Sequence, residues 1–382
     1  MRFFAIFLCI FLLTGCAAGE AEVTEAAVEA AATVAETVPV TTAPVETDPP
    51  DPIKDIIGQM SLDERVGQLF LARCEDTAAV KDAEQYHLGG FVLFAADFRD
   101  QTVDSMQEKI ASYQSAAKIP LLIAVDEEGG TVTRVSRYPA FRESNFASVR
   151  DLYSWGGMEW ILATEEEKCA LLGSLGINVN LGPVCDITTQ QGAFMYDRSL
   201  GQNAAVTSDF VSQTVGIMNS YQIGSVLKHF PGYGNNTDTH TGIAIDSRSL
   251  EELESNDLIP FAAGIEAGCG AVLVSHTIAE ALDTELPASL SPAVHQYLRQ
   301  EMGFEGVIIT DDLVMQAITD QYGAGEAAVM AVLTGNDLLC STDYVTQYEA
   351  VLAAVLDGRI DIDTLNSAVR NVLEWKMDLG LI

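Results

Sequence analysis

Beyond residue 60 the chain alternates short runs rich in Val, Ile and Leu with longer amphipathic or Ala-rich stretches. Eight such runs stand out: Val66 to Ala72, Gly90 to Phe94, Leu121 to Val125, Ile177 to Leu181, Ser225 to Leu227, Ala271 to Val274, Val307 to Ile309, and Leu338 to Leu339. Most run apolar rather than alternating, Ile177 to Leu181 with its two asparagines excepted, and so read as parallel strands buried on both faces. Between them lie helical patterns over Thr102 to Ser115, Gly157 to Leu175, Ala204 to Ser220, Leu250 to Ala267, Pro292 to Met302, Gly325 to Leu333 and Val345 to Leu356. A last helix, Ile362 to Lys376, repeats Leu365, Val369 and Leu373 at i+4. Ser61 with Glu64 has capping-box spacing, and Ser291 precedes Pro292 at N1. Eight strand–helix units predict an α/β fold, a single (β/α)8 TIM-like barrel. A doubly wound sheet would require a Gly-rich phosphate loop after an early strand, and Gly129-Gly130 lacks the third glycine.

The first residues carry a different pattern. Arg2 is followed by an apolar run from Phe3 to Leu13 and then by Leu13-Thr14-Gly15-Cys16. The run is too short to span the ~30 Å hydrocarbon core of a bilayer. It reads as a lipoprotein signal peptide over residues 1–15, with Cys16 as the lipidation site. Residues 16–52 have no Lys, Arg or aromatic residue, and Pro39, Pro44, Pro49, Pro50 and Pro52 interrupt them. They read as a lipidated Cys and a disordered acidic tether, unable to bury enough apolar surface to offset ordering. The folded (β/α)8 domain is expected over residues 53–382. The predicted location is the extracellular face of the cell membrane, lipid-anchored.

Charge narrows the possible partners. The 382 residues carry a formal net charge of −35, which opposes nucleic acid and anionic lipid. Lys228, His229 and Arg198 would form a local basic pocket within that field. Cysteines after Cys16 are scattered, at 74, 169, 185, 269 and 340, with no CxxC pair. A thiolate metal site is not expected.

The polar residues of interest each follow an apolar run directly: Asp126, Asp186, Lys228-His229, Ser275-His276 and Asp311-Asp312. In a barrel all of these emerge on the C-terminal rim, where active sites form. Asp311 is the strongest candidate nucleophile, with Asp312 turned elsewhere and available to cap the next helix. The Pro/Gly-rich loop from Lys228 to His240 ends in Asp238 and His240. His240 is a candidate acid/base, because a histidine titrating near neutrality serves both proton-transfer steps. Asp238 would hold its tautomer, as the third member of a catalytic triad does. Asp126, Lys228, His229 and Arg198 are candidate ligand-binding groups, Arg134 would pair with Asp126 or Glu128, and His276 stands nearby as a further binding candidate. The alternatives are a helix cap at Asp311, a turn cap at Asp126, an incidental surface pair at Asp238 and His240, and a metal site at His229, Asp238 and His240. No HExxH or clustered Cys/His spacing supports the metal. No GxSxG elbow supports a serine hydrolase.

Together these stretches resemble glycoside hydrolase family 3, and within it the β-N-acetylglucosaminidase branch. The resemblance rests on Ala124 to Gly130, Gly176-Ile177-Asn178 with Gly182 to Asp186, and Asp197 to Gly201. It continues through Lys228 to Gly234, Asp238-Thr239-His240, Ser275-His276 and Gly303 to Leu313. It implies a retaining exo-β-N-acetylglucosaminidase acting on terminal GlcNAc of peptidoglycan fragments. Asp311 would be the nucleophile, and His240 the acid/base with Asp238 as its partner. Asp126, Arg198, Lys228 and His229 match sugar-binding positions. No metal or organic cofactor is implied, and the partners are β-linked GlcNAc saccharides or muropeptides. Tyr233 stands where the family usually has a second histidine, Thr239 where it has serine, and Phe94-Ala95-Ala96-Asp97 lacks the asparagine often found there. The competing expectations are a family 3 β-glycosidase acting on glucose or xylose, a β-N-acetylglucosaminide phosphorylase, and a non-catalytic sugar-binding lipoprotein.

Overall fold

A computed structural model describes residues 50–73, 76–236 and 242–382; Cys16, Asp238 and His240 lie outside them. One compact unit runs from Asp51 to Ile382. Its strands are β1 (Phe70–Ala72), β2 (Gly90–Leu93), β3 (Leu122–Val125), β4 (Val179–Asn180), β5 (Gly224–Phe230), β6 (Ile245–Asp246), β7 (Ala271–Val274), β8 (Ile278–Ala279), β9 (Val307–Thr310) and β10 (Leu339–Ser341). Eight pair in parallel in the order β10-β1-β2-β3-β4-β5-β7-β9. A parallel bridge from Ile309 to Leu338 brings β9 back to β10. The result is a nearly closed (β/α)8 TIM-like barrel. The short β6 and β8 form a separate parallel pair.

The helices are α1 (Pro52–Gln59), α2 (Leu62–Gln68), α3 (Asp76–Tyr86), α4 (Val103–Ala116), α5 (Val149–Ser174), α6 (Ala204–Ser220), α7 (Leu250–Glu252), α8 (Leu258–Glu266), α9 (Pro292–Gln296), α10 (Gln316–Tyr322), α11 (Ala324–Thr334), α12 (Tyr344–Leu356) and α13 (Ile362–Asp378). π-turns at Leu253–Asp257 and Tyr297–Glu301 extend α7 into α8 and prolong α9. Among the described residues no helix is long and apolar enough to cross a membrane.

Local chemistry explains where the elements differ from their expected bounds. The apolar run from Val66 begins inside α2, because Ser61 and Glu64 form a complete capping box that starts a helix at Leu62. The first strand is thereby shortened to β1. Pro52, counted in sequence with the tether, sits in the first turn of α1 behind an Asp51 N-cap. Asp51 in turn pairs with Arg370 on α13 at 2.7 Å. Helix α3 escapes the periodicity because its buried stripe is made of Ala79 and Ala83, whose small side chains give a faint signal. Two-residue β6 is too short to announce itself.

The barrel interior is filled by Leu71, Val92, Leu122, Val179, Leu181, Val226, Leu273, Ile309 and Leu338, among others. Trp375 of α13 belongs to the same cluster and packs beneath the strands. Its indole comes so close to β7's approach that a Cβ at Gly270 would lie 2.0 Å from the ring nitrogen. Glycine is required there by close approach, and the lower end of the barrel is sealed. The ligand opening is therefore at the C-terminal ends of the strands.

Candidate active site

The C-terminal rim encloses a cavity of about 670 Å³. It is lined by Asp126, Arg134, Arg198, Lys228, His229 and Asp311 among the expected residues, and by Arg73, Phe94, Phe194, Tyr233, Asp312 and Cys340 in addition. Residues far apart in sequence thus meet around one space, Asp126 following β3 and Asp311, 185 positions later, following β9.

Lys228 sits at the centre of the polar floor. In a regular strand Lys228 and His229 would project to opposite faces; here both line the cavity. The pairing of β5 with β7 shifts register between Leu227 and Phe230, and the Lys228–His229 peptide is cis. Lys228 Nζ donates to Asp126 Oδ1 at 2.7 Å and lies 2.6 Å from Glu128 Oε1. Arg198 grips the same Glu128 with two donors, at 2.9 and 2.6 Å. The planar guanidinium fork suits this bidentate contact. Arg134 faces the other oxygen of Asp126 at 3.7 Å.

These contacts set the protonation states. Burial pushes the Glu128 carboxyl up, but Arg198 and Lys228 outweigh it and hold it well below the usual carboxylate range. Burial likewise disfavours charge on Lys228, and Asp126 and Glu128 reverse that, so its ammonium is held above its ordinary value. Glu128, Lys228 and Arg198 are therefore charged at neutral pH.

His229 is oriented from both ring nitrogens. Arg198 Nη2 lies 3.1 Å from Nε2, and Asp186 Oδ2 lies 2.8 Å from Nδ1. A guanidinium only donates, so Nε2 accepts and Nδ1–H donates to Asp186. Asp186 also accepts from the backbone N–H of His229 at 3.1 Å and of Tyr233 at 2.7 Å. The carboxylate thereby ties the start of the loop to the end of the strand before it. Tyr233, buried, meets His229 edge-on at 5.3 Å and Phe194 at 5.5 Å. The residue that replaces the family's second histidine forms an aromatic side of the cavity.

Asp311 enters the cavity at the end of β9, its backbone N–H bonded to Val274 O at 3.1 Å and one carboxylate oxygen accepting from Asp312 N at 2.9 Å. Asp312 lines the cavity too, but its carboxylate is engaged by Val314 N, Thr342 N and Thr342 Oγ1. It does not cap a helix, since α10 starts only at Gln316 behind Met315. It pins the loop to the end of β10. Cys340 is the other potential nucleophile on the lining. Burial pushes its thiol well above the ordinary range, so it is not a thiolate at neutral pH.

His276 is the one expected binding residue in the described part that lies outside this lining. It is fully buried behind the strand ends, with Nδ1 2.7 Å from Ser289 Oγ and Nε2 3.0 Å from Asp312 O. Through Nε2 it holds the Asp312 carbonyl next to Asp311.

The sequence offered Glu128 only as a possible partner of Arg134, placed Asp186 at the rim without a role, and gave Glu127 none. Glu127 is buried and accepts from the backbone of Arg134, Val135 and Ser136 and from Ser136 Oγ. It folds the loop back on itself and so delivers Arg134. The signal was present, since three consecutive acids after an apolar strand cannot all be solvated at a barrel mouth. Which acid faces which partner depended on residues far along the chain.

The family model described as glycosyl hydrolase family 3 N terminal domain matches residues 61–375, and the chain belongs to that family. A beta-hexosaminidase of Nitrosomonas eutropha is 32% identical over 291 residues, covering 72% of this chain and 81% of that protein. A beta-hexosaminidase of Xanthomonas oryzae pv. oryzae is 33% identical over 322 residues, covering 80% and 92%. Among solved structures, a glycoside hydrolase family 3 beta-N-acetylglucosaminidase from Paenibacillus sp. str. FPU-7 aligns with a TM-score of 0.78 at 31% identity. That alignment covers 84% of this chain and 63% of the Paenibacillus chain, so this chain spans just under two thirds of it.

Proposed function

We propose that the protein is a retaining exo-β-N-acetylglucosaminidase that removes terminal GlcNAc from peptidoglycan fragments. The observation that carries the reading is the cavity itself, where Asp311 shares one enclosed space with the Asp126–Lys228–Glu128–Arg198 network and His229. Family membership and the hexosaminidase relatives support it. An Asp311 carboxylate oxygen would attack the anomeric carbon as the glycosidic bond breaks, giving a glycosyl ester. His240, assisted by Asp238, would give its proton to the leaving oxygen. It would then take a proton from the water that cleaves the ester, restoring the β configuration. Both residues are assigned on the Asp-Thr-His motif. Lys228, Asp126 and His229 would hold sugar hydroxyls.

The reading extends to location. Residues 1–15 would be removed, Cys16 would carry the lipid, and residues 16–50 would hold the domain off the outer face of the membrane. Recovery of the protein only from the soluble cytoplasmic fraction would refute this.

The test compares release of p-nitrophenol from the β-N-acetylglucosaminide and the β-glucoside, in phosphate and in phosphate-free buffer. The expected result is turnover of the N-acetylglucosaminide, independent of phosphate, with the β-anomer of GlcNAc appearing first by NMR. Asp311→Ala should fall by on the order of a thousandfold or more. Faster glucoside turnover, formation of a sugar phosphate, or an α-anomer formed first would each refute the assignment.

A further inference from the structure

Two of the three tryptophans are left in solvent. Trp375 is buried, whereas Trp155 and Trp160 are 60% and 51% exposed. They stand five residues apart on α5, and on a regular helix such residues lie about 140° apart around the axis. Here they touch, with ring centroids 6.3 Å apart and planes at 75°. The cause is a break in the helix at Gly156 and Gly157, the second with φ +66°. A Cβ at Gly156 would lie 2.1 Å from Trp160 Cδ1, so the indole rests directly on the glycine backbone. The Gly-Gly pair thus joins two rings that the helix would separate, and fixes one of them with part of its surface open.

We propose that the Trp155–Trp160 pair is a second saccharide-binding surface, outside the cavity, for a neutral β-linked N-acetylglucosamine strand. The inference rests on the glycosidase reading for its choice of sugar. A pyranose offers an apolar C–H face to stack on an indole, and hydroxyl and amide edges to neighbouring polar groups. Asp151, four residues before Trp155, and Glu159, next to Trp160 in the chain, are exposed. Those carboxylates and the net charge of −35 disfavour an anionic lipid surface, the other usual occupant of exposed tryptophan. Position favours a glycan as well. Helix α5 follows directly from the loop that carries Asp126 and Arg134. Arg150 in its first turn stacks on Tyr196 at 4.0 Å and donates to Thr188 O at 3.1 Å and Ser199 Oγ at 2.9 Å. Those residues flank Arg198 of the cavity. The start of the helix that bears the two rings is thereby tied to the loop that supplies Arg198.

The test uses the full chain with Cys16→Ser, so that no acyl group contributes, and places Trp155→Ala, Trp160→Ala and Trp155→Phe beside the parent. Two readouts are kept apart: turnover of the p-nitrophenyl N-acetylglucosaminide, and retention on insoluble chitin with Asp311→Ala added to prevent cleavage. The expected result is unchanged turnover in the tryptophan variants, retention weakened about tenfold by either alanine, and most of it kept by phenylalanine. Retention equal to the parent in both alanine variants overturns the proposal. So does binding to phospholipid vesicles, or dimerisation, that disappears with Trp155. Tryptophan-dependent retention with no turnover in the parent would support the surface and refute the enzymatic assignment, whereas normal turnover with tryptophan-independent retention would do the reverse.

Discussion

Replacing Glu128 by Gln removes the counter-ion shared by two buried cations. In the native floor three carboxylates, Asp126, Glu128 and Asp186, stand among three cations, Arg134, Arg198 and Lys228. The Glu128 side chain is 7% exposed and that of Lys228 is 2%, so solvent screens the loss poorly. Breaking a buried pair by removing one partner costs about 3–5 kcal/mol. For a unit running from Asp51 to Ile382, the unfolding entropy is roughly 0.7 kcal/mol/K, so Tm should fall by about 4–7 °C. The carboxyl is held below its usual range when folded. Its stabilisation is therefore present above the ordinary Glu value near 4.5 and lost only as pH falls through the lower folded value. The deficit of Glu128→Gln should accordingly be undiminished from pH 6 to 9. Thermal unfolding by circular dichroism across that range is the assay, with Glu128→Gln/Arg198→Met as the companion. The double variant removes one charge of each sign and should be less destabilised than the sum of the two single variants. A Tm within about 1 °C of the parent for Glu128→Gln, or strict additivity, would refute the view that Glu128 is a buried counter-ion.

Two further outcomes follow from the lower half of the barrel. Gly270→Ala drives a methyl into the Trp375 indole and should cost about 1–3 kcal/mol by overpacking, read as a lower denaturation midpoint; an unchanged midpoint would mean that α13 does not seal the barrel tightly. Lys376 is fully buried, its Nζ bonded to Gln68 Oε1 at 2.7 Å, and burial pushes its ammonium down to about 7. Between pH 7 and about 10 the unfolded chain binds this proton and the folded one does not, so the group contributes a rise in stability of about 1.4 kcal/mol per pH unit. Lys376→Met should flatten that part of the stability profile, and a slope equal to the parent's would contradict it.

Much of the fold was legible because a barrel strand buried on both faces leaves a continuous apolar run. The observed strands fall within or beside the runs at Gly90, Leu121, Ile177, Ala271, Val307 and Leu338. The sequence misled where a local signal was stronger than hydrophobicity, as at Ser61, whose capping box makes helix of Val66 to Gln68. It was silent where the stripe was alanine, as in α3. In the site, the position of a polar residue just after a strand was enough to place Asp126, Lys228, His229 and Asp311 at one mouth. The same rule brought His276 to a strand end, where its side chain turns to Ser289 and the Asp312 backbone.

The linear pattern by itself determined which groups arrive at the rim, since each is delivered by the end of its own strand, and it carried the motifs of the family. Only the tertiary structure decided their pairing. Glu128 meets Arg198 across 70 residues and Lys228 meets Asp126 across 102; Trp375 closes the barrel from the far end of the chain. Charges in a poorly solvated space take the nearest opposite charge, and rings take the nearest open backbone. Neither distance exists until the barrel has closed.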